Sequence, residues 1–597
     1  MKCGLELHQR LATGKLFCGC PGTIEEGEKP SRQIVRRQHA VWSEEGEADE
    51  SAMFEAGRGR KYVYQIFDRN VCQIDIDEAP PLALNSEALA IALQVSLMLN
   101  CKIVDEVQVM RKQVLDGSCP SGFQRTAIIG MDGFVETRAG MVCITSVSLE
   151  EESSGIIGET SDAITYRLDR LGIPLVEIST EPDIVSAEHA RECAEKIGMM
   201  LRMTGRVQRG IGTIRQDVNV SSENGARVEI KGAQELGEIS LMVQNELVRQ
   251  ERLLWVASEQ KKRLGENFEI PGAIYDVSDI FSESGCGMIK KALASGGHVL
   301  AMKLPAHAGL LGAELYEGRR FGTELSDYAK SAGVKGIMHS DESLEKYGIS
   351  EDEVAEISSA MDVRGNDAFV LCVDAPKKAR DALERVIARA MRTDVPKETR
   401  RAVEGGKSAF MRPLAGRARM YPETDVKPIR IHPDAVADAR KSVPKNPEEK
   451  KHELKEKIGL NDEMAAKMLK SPHLPVFERI IELGVEPTLV ATTIENTLTA
   501  LRREGVEIKD AGGSLEDLFS NYRKGLFAKA AIPEILKAMA GGKGTKESVE
   551  ELGLHKISGE ELEKLVEECN FEMKQVMMKY RLRVEADEVQ KLIARKK

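Results

Sequence analysis

Aromatic residues are scarce in this sequence, where Phe, Trp and Tyr together make up 4% of the chain. Proteins that bind single strands of nucleic acid by stacking depend on these side chains, so the composition argues against that class. Long apolar runs are also missing, because no stretch reaches the roughly 18 residues that a membrane span needs. The start has the acidic Glu6 where a signal peptide would be apolar. We therefore expect a cytoplasmic protein with no membrane association.

Basic residues do not outnumber acidic ones, and the formal net charge is −12. A protein that coats nucleic acid needs a basic surface to hold phosphates, so we expect no DNA partner. Local basic runs remain, and each is either a solvated helix face or a phosphate-binding patch. These runs lie at 392–401, 412–419, 580–583 and 595–597.

Disulfide bonds are not expected, because the 11 cysteines are odd in number and scattered over a large chain. Cys18 and Cys20 form a close pair that could bind zinc with two further ligands, for which Cys3 and Cys72 are candidates. No second C-x-C or C-x-x-C motif supports this interpretation. Zinc therefore stays an alternative to free thiols.

The length of 597 residues indicates roughly three to five domains. Residues 1 to about 230 alternate short apolar runs with Gly, Pro and acidic turns, which predicts a large mixed sheet in a domain that extends to residue 267. Over 268–392 the pattern changes to that of a compact unit of strands and helices. The acidic turns of the first part return over 393–431, which indicates that 268–392 is an inserted α+β unit. From 432 onward apolar residues recur at helical spacing. We predict a multidomain α/β protein whose interrupted sheet domain is followed by a helical domain at 432–520 and a small helical tail domain at 521–597.

The candidate site begins at Glu6 and His8, which are two residues apart on a predicted strand and so share a face. Alone, such a pair is typical of a protein surface or a satisfied core. Glu177 is the one acid in an otherwise apolar strand, where a buried salt bridge is the alternative. Buried charges cost several kcal/mol unless they are compensated, and a hard divalent cation compensates several carboxylates at once.

Two other acidic segments strengthen this hypothesis. The triple Glu150, Glu151 and Glu152 would by itself be a solvated turn. Asp217 and Asn219 share a strand face and offer oxygen atoms to a cation or a nucleotide, although a polar sheet edge explains them equally well. Combined with the acids named above, these segments predict a metal and phosphate site.

No phosphate-binding loop of the P-loop type is present. The stretch 401–408 ends like one but has Arg401 where the leading Gly belongs. If ATP is used, its phosphates must be bound by a metal ion and basic side chains, because phosphoryl transfer depends mostly on positioning and charge stabilisation. The candidate side chains are Arg111, Lys112 and Arg215.

Five motifs follow one another in the first half of the chain: GLELH at 4–8, KLFC at 15–18, LEE at 149–151, DRLGIPLVEI at 169–178 and RQDVNV at 215–220. In this order they resemble the catalytic half of the B/E subunits of tRNA-dependent amidotransferases. The archaeal E-type branch is favoured by VMRK at 109–112 and by the inserted unit. In that unit, RRFGTEL at 319–325 and GIMHSDE at 336–342 resemble the insertion domain of bacterial-type aspartyl-tRNA synthetases.

The resemblance implies a cradle-shaped catalytic domain and ATP-dependent conversion of Glu-tRNA(Gln) to Gln-tRNA(Gln). The glutamate side chain is phosphorylated, and ammonia then replaces the phosphate. The implied magnesium ligands are His8, Glu151 and Glu177, and the implied catalytic acids are Glu6, Glu151, Glu177 and Asp217.

The resemblance also implies two partners. Ammonia would come from an asparaginase-like partner, the D-type subunit of such enzymes, because this chain shows no amidase nucleophile with a supporting base. Glu-tRNA(Gln) would be held partly by the tail domain, whose implied contacts are Arg581, Arg583, Lys591 and Arg595.

Two departures from the family pattern occur beside the LEE motif, where Ser148 replaces a common His and Glu152 replaces a common Asp. The chain also begins almost at the first motif, so we expect that the natural start lies upstream.

Two other classes of function stay open. One is a non-catalytic tRNA-binding scaffold with structural acids, and the other is a metal-dependent hydrolase of small amides. Phosphate release from ATP that depends on Glu-tRNA separates both from an amidotransferase.

Overall fold

A computed structural model describes residues 1–42, 46–160, 162–508 and 510–596. The chain forms two compact units, Met1–Pro444 and Lys445–Lys597. The first unit contains sheets and helices, whereas the second is helical. Among the described residues, no helix is long and apolar enough to cross a membrane.

All strands of the described residues lie in the first unit. Their bounds are β1 Lys2–Arg10, β2 Arg32–Arg36, β3 Lys61–Ile66, β4 Lys102–Ile103, β5 Glu106–Val107, β6 Val109–Gln113, β7 Phe123–Thr137, β8 Gly140–Glu151, β9 Gly155–Glu159, β10 Ala163–Arg167, β11 Pro174–Thr180, β12 Ile214–Ser221, β13 Val228–Ala233, β14 Ile274–Asp276, β15 His298–Leu304, β16 Glu314–Tyr316, β17 Arg319–Arg320, β18 Met338–His339, β19 Ala368–Asp374, β20 Glu398–Val403, β21 Lys407–Pro413, β22 Met420–Pro422 and β23 Ile429–Arg430.

The α-helices are spread over both units. Their bounds are α1 Glu50–Ala56, α2 Ser86–Met98, α3 Ala187–Met203, α4 Leu236–Leu264, α5 Gly287–Ala294, α6 Phe321–Lys330, α7 Glu351–Ala360, α8 Pro376–Ala390, α9 Pro433–Lys441, α10 Pro447–Glu456, α11 Asp462–Lys470, α12 Leu474–Glu482, α13 Pro487–Thr492, α14 Leu498–Arg503, α15 Ala511–Arg523, α16 Ile532–Met539, α17 Thr545–Leu552, α18 Gly559–Glu568, α19 Met573–Tyr580 and α20 Ala586–Lys596.

One large mixed sheet positions the candidate site. Its strand order is β21-β20-β13-β12-β1-β11-β8-β7-β6-β22, with β4 beside β7. The pair β13 and β20 is parallel, whereas β1 is antiparallel to both of its neighbours. Leu5 and Leu7 of β1 are buried in the core, so the alternate residues Glu6 and His8 face the other side. The predicted mixed sheet is confirmed.

Helices cover the apolar face of this sheet. Helix α3 packs against β1, α4 against β12 and α2 against β7. The side chain of Ser186 accepts a hydrogen bond from the His189 backbone and so caps the start of α3. Helix α4 ends at Leu264 and is followed by Gly265, whose φ of 93° falls where only glycine is unstrained. With one face covered by helices, the polar face of the sheet is left for the site.

The segment 268–392 contains a second, smaller sheet with the order β14-β15-β19-β18. Phe281, Ile289 and Phe369 belong to a hydrophobic cluster on this sheet. The segment is joined to the large sheet by a buried ion network in which Arg249 of α4 bonds to Glu324 of α6. The likeness of this segment to a synthetase domain stays a prediction.

Two boundaries differ from those expected from periodicity. Helix α9 packs on α2, and its Ala439 joins the core of the first unit, which therefore ends at Pro444 rather than at 431. The expected break at 520 falls inside α15, which packs against α16 and α17. Spacing indicates that a helix forms but does not say against which core its apolar face packs, and that packing decides the boundary.

Candidate active site

The register of the central strands brings distant acidic segments onto one face. His8 is opposite Glu177 on β11 and Arg215 on β12, and Glu6 is opposite Asp217. Directly opposite residues on antiparallel strands point to the same side of the sheet. Three of the predicted segments therefore meet because β1 lies between β11 and β12.

These side chains line a polar cavity of about 440 Å³, which we call the basin. Its charged and amide side chains include Glu6, His8, Lys112, Gln124, Glu150, Glu177, Arg215, Asp217, Asn219, Glu229 and Lys231.

A group of ligand atoms suitable for a metal ion lies in the basin. Single atoms of Glu6, His8 and Glu177 all lie within 4.8 Å of one another, as do atoms of Glu6, Asp217 and Glu229. His8 Nε2 is 3.1 Å from Glu177 Oε2. Carboxylate oxygens with one imidazole form a donor set that suits a divalent cation. The residues present therefore fit a magnesium ion.

The basin acids divide into two kinds. Burial opposes charge on Glu177, but Lys112 and His8 outweigh it and lower the pKa of Glu177 well below its usual range. Burial raises the pKa of Glu6, and burial with the neighbouring Glu177 raises that of Glu150. A divalent cation beside Glu6 would favour its ionised form, because carboxylates bind metals in that form.

His8 is held in its charged form when no metal is bound. Burial alone would lower its pKa, but the hydrogen bond and charge of Glu177 raise it to about 9. Metal ligation needs the neutral imidazole, so cation binding at His8 would release a proton.

Two lysines offset part of the negative charge. Lys112 Nζ is 2.8 Å from Glu150 and 3.4 Å from Glu177. Lys231 Nζ is 2.7 Å from both Asp217 and Glu229. The basin thus places ammonium groups beside carboxylates, as a site that binds both a cation and phosphate oxygens requires.

Glu151 does not lie in the basin, contrary to the expectation that it ligates the metal. Ser148 is opposite Glu177, so β8 directs Ser148 and Glu150 to the basin and Glu151 to the other face. There Glu151 accepts hydrogen bonds from the backbone and the guanidinium group of Arg125. Of the three consecutive acids, Glu150 is the one that lines the basin.

Arg111 also lies outside the basin, contrary to the expectation that it binds phosphate. It is opposite Arg125 on the neighbouring strand, on the face away from Lys112. Its guanidinium group donates to Glu423 at 2.6 Å and lies 4.5 Å from the Phe123 ring centroid. Lys112, on the other face of β6, lines the basin.

Arg215 lies at the junction of the basin and an adjoining cavity of about 690 Å³, which we call the antechamber. Its two terminal nitrogens donate to the two carboxylate oxygens of buried Glu152, at 3.0 and 2.7 Å. This bidentate pair fixes the guanidinium plane. Glu152 also lies near Arg10 and Arg170.

Two further candidate metal ligands lie beside Cys18 and Cys20, on the opposite face of the sheet from the basin. Ligand atoms of Cys18, Cys20, Cys72 and Asp75 lie within 4.8 Å of one another. The candidate ligand Cys3 is instead buried in the hydrophobic core. Hydrogen bonds from Cys18 and Cys20 lower the pKa of the Cys72 thiol. Three sulfurs and one carboxylate form a donor set that zinc accepts.

The basic residues of the tail lie in the last helix of the second unit and in the turn that precedes it. Arg581 directly follows α19, while Lys591 and Arg595 are exposed on α20. The Nε of Arg583 donates to the carbonyl of His555 at 3.2 Å. Their contact with tRNA stays a prediction.

Sequence reasoning missed Glu229, Lys231 and Gln124, which also line the basin. The alternation of Val228 and Ile230 with Glu229 and Lys231 is a signal that could have identified the first two. Gln124 has no such signal, because its role follows from the pairing of β7 with β6.

Comparisons with known proteins cover almost the whole chain. The family described as the GatB/GatE catalytic domain matches residues 1–437, and the family described as the GatB domain matches residues 475–595. The E-type subunit of the glutamyl-tRNA(Gln) amidotransferase of Methanocaldococcus jannaschii is 46% identical over 577 residues, which are 95% of this chain and 91% of the relative. Those of Methanosarcina barkeri and Pyrococcus abyssi are 44% and 43% identical, over 95% of this chain and 90% of each relative.

Proposed function

Because the chain belongs to the GatB/GatE family of amidotransferases, we propose that it converts Glu-tRNA(Gln) to Gln-tRNA(Gln) in an ATP-dependent reaction. The observation that carries this function is the basin, where His8, Glu6 and Glu177 lie beside Lys112 and Arg215. The relatives are named for the same reaction. Neither the scaffold nor the small-amide hydrolase is favoured by this family membership.

The chemistry requires activation of a poor electrophile. A carboxylate resists attack by ammonia until one of its oxygens becomes part of a good leaving group. Transfer of the terminal phosphoryl group of ATP to the glutamate side chain gives an acyl phosphate and ADP. Ammonia then attacks the acyl carbon, inorganic phosphate leaves, and the amide remains on the tRNA.

Magnesium would be held by Glu6, His8 and Glu177, whose ligand atoms already lie together. When bound, it would supply positive charge against the phosphate oxygens. Glu150 bonds to Lys112 but lies outside the groups of possible ligand atoms, so it is not assigned as a magnesium ligand.

The side chains of the basin have distinct proposed roles. Lys112, held between Glu150 and Glu177, places an ammonium group where phosphate charge develops. Arg215, oriented by Glu152, presents its guanidinium group at the mouth of the antechamber. Asp217 keeps Lys231 in place through a 2.7 Å hydrogen bond. Each role is one of positioning and charge, which suits phosphoryl transfer.

The remaining members of the complex are part of this proposal. An asparaginase-like partner of the D type supplies ammonia, and the reaction takes place in the cytoplasm. Arg581, Arg583, Lys591 and Arg595 contact the tRNA from the tail.

The test is an assay with labelled ATP, Glu-tRNA(Gln), this chain and its ammonia-producing partner. We expect ADP and Gln-tRNA(Gln) to form together, and ADP formation to depend on the Glu-tRNA. Gln-tRNA formation without ATP, or ATP hydrolysis indifferent to the tRNA, would contradict the proposed function.

A zinc ion at Cys18, Cys20, Cys72 and Asp75 is a second part of the proposal. The cluster lies on the sheet face opposite the basin, so the ion would have a structural role. Metal analysis of the purified chain should find about one zinc per molecule, which Cys72→Ser removes. Cys143→Ser, at a half-buried cysteine outside the cluster, is the matched control. Zinc content unchanged by Cys72→Ser would refute the site.

A further inference from the structure

A strongly basic cavity of about 490 Å³, which we call the basic cleft, lies beside the antechamber. One wall comes from the first part of the large domain and carries Arg37, Arg58, Arg60 and Lys61. The other wall comes from the segment 268–392, where α8 contributes Lys377, Lys378 and Arg385. Only two carboxylates, Asp162 and Asp381, line it within the described residues.

One contact across the cleft joins its walls. Arg385 of α8 donates to Ser331 of its own wall, and its guanidinium carbon lies 5.0 Å from the ring centroid of Phe54 on α1, which belongs to the other wall. The two walls are therefore in direct contact within the first unit, and this contact fixes their positions on either side of the cleft.

Most of the positive charge in the cleft is not compensated. Arg58 pairs with Glu55 and Arg60 with Glu159. In the part of the chain that the structure describes, Arg37, Lys61, Lys377 and Lys378 form no ion pair. A cluster of unpaired cations is unfavourable through self-repulsion and is stabilised by a bound polyanion. On a chain with a net charge of −12, this concentration indicates a specific anionic ligand.

The start of α8 adds donors to the same place. Pro376 is the first residue of the helix, and no side chain caps this end. The free backbone N–H groups of the first turn point toward the end of the helix that carries Lys377 and Lys378. Phosphate oxygens are the acceptors that such an end favours when basic side chains flank it.

The basic cleft is continuous with the site of the proposed reaction. Arg58, Arg60 and Ser331 line both the cleft and the antechamber. Asp116, Ser118, Ser153, Arg215, Gly232 and Met411 line both the antechamber and the basin. Three cavities thus form one path from a basic opening to an acidic end.

We infer that the basic cleft binds the phosphodiester groups of the single-stranded 3′ end of the tRNA substrate; this inference rests on the proposed function. The glutamyl group is esterified to the last nucleotide and must lie at the basin, so the preceding phosphates must leave along a path from it. A free nucleotide would need only two or three cations at one point. The cleft instead distributes seven over two walls, as a strand of successive phosphates requires.

The test compares two double variants of the full chain. Lys61→Ala/Lys377→Ala removes one cation from each wall, and Lys102→Ala/Arg380→Ala removes two exposed cations outside the cleft. Arg380 lies on the same helix as Lys377. All four side chains are exposed, so both variants should fold, and equal midpoints of thermal unfolding would verify this.

Binding is measured against salt concentration with tRNA(Gln) and with the same tRNA lacking its single-stranded 3′ end. For intact tRNA we expect the cleft variant to bind about tenfold more weakly and its log–log salt slope to fall by about 1.4, since each single-strand phosphate contact contributes about 0.7. The control should bind like the unaltered chain. All three proteins should bind the shortened tRNA equally, and the KM for ATP should not change.

Three results would overturn the inference: equal binding by the cleft variant and the control, an equal loss on the shortened tRNA, or a raised KM for ATP with unchanged tRNA binding. The last would identify the cleft as a nucleotide site. Arg37→Ala, which removes a further exposed cation of the cleft, gives an independent second variant. The binding measurements need no turnover, so they test the cleft independently of the amidation assay. Failure of the amidation assay would refute the proposed function, whereas the binding results alone decide whether the cleft binds the tRNA end.

Discussion

At the scale of single residues, the register of β8 decides which acid of the LEE motif lines the basin. Adjacent strand residues face opposite sides of a sheet, and Glu150 rather than Glu151 shares the face of Glu177. The motif contains both acids, so its letters alone do not separate them. Only the register of β8 against β11 does.

Glu150→Gln and Glu151→Gln form a matched pair that tests this assignment. We expect Glu150→Gln to reduce the Glu-tRNA-dependent formation of ADP by about tenfold or more, because it removes a charge beside Lys112 and Glu177. Glu151→Gln should keep the magnesium dependence of the unaltered enzyme. ADP formation by both variants is measured against magnesium concentration. A larger loss of ADP formation in Glu151→Gln than in Glu150→Gln would favour Glu151 as the acid that acts at the site.

Glu423 offers a second test at this scale, through pH. Burial opposes its charge, but hydrogen bonds from Arg111 and Arg125 lower its pKa to about 2. A lowered pKa stabilises the fold above the ordinary value near 4.5, and this contribution is lost as the pH falls toward 2. Glu423→Gln should therefore cost about 3 kcal/mol at pH 7 and almost nothing near pH 2.

Urea unfolding of the first unit at several pH values measures the effect of Glu423→Gln. Glu404→Gln, at an exposed acid, is the control and should leave stability unchanged. A Glu423→Gln cost that does not vary with pH would contradict the lowered pKa.

At the scale of elements, α4 does more than cover the sheet. Its buried Arg249 bonds to Glu246 of the same helix, to Glu324 of α6 and to Glu398 of β20. The helix runs without a break from Leu236 to Leu264. The ion network was not predictable, because its members lie in three elements far apart in the sequence.

Arg249→Ala should destabilise the first unit by about 3 to 5 kcal/mol, because it leaves three buried carboxylates without one of their cations. Arg252→Ala, one turn along α4, removes a half-buried guanidinium that stacks on Trp255 and should cost about 1 kcal/mol. The two midpoints of thermal unfolding give the comparison. Equal shifts would mean that the network adds no stability.

At the scale of the whole molecule, composition and the spacing of apolar residues predicted the mixed sheet and the helical C-terminal region. These features depend on local patterns, which a single sequence contains. The end of the first unit at Pro444 and the meeting of His8 with Glu177 depend on packing between distant segments. The family resemblance supplied the reaction, whereas the register supplied the choice between neighbouring acids.

A fragment of residues 445–597 should fold by itself. It is a separate compact unit, and Ile557, Leu562 and Val576 belong to a hydrophobic cluster confined to it. Circular dichroism should show a helical fragment with a cooperative thermal transition. A fragment that starts at 433 is the control, and the added α9 should not raise its midpoint, because α9 packs on α2. A higher midpoint of thermal unfolding for the longer fragment would indicate that α9 packs against the helices of the second unit.

The central place of β1 sets the order in which the protein can be completed on the ribosome. Its Glu6 and His8 are synthesised before their partners Asn219 and Glu177, which are 213 and 169 residues further along. At bacterial-like elongation speeds of about 5 to 20 residues per second, the first strand waits about 10 to 40 seconds for its neighbours. The nascent strand, apolar on one side and charged on the other, must remain unpaired for that time, so chaperone demand should fall on this segment.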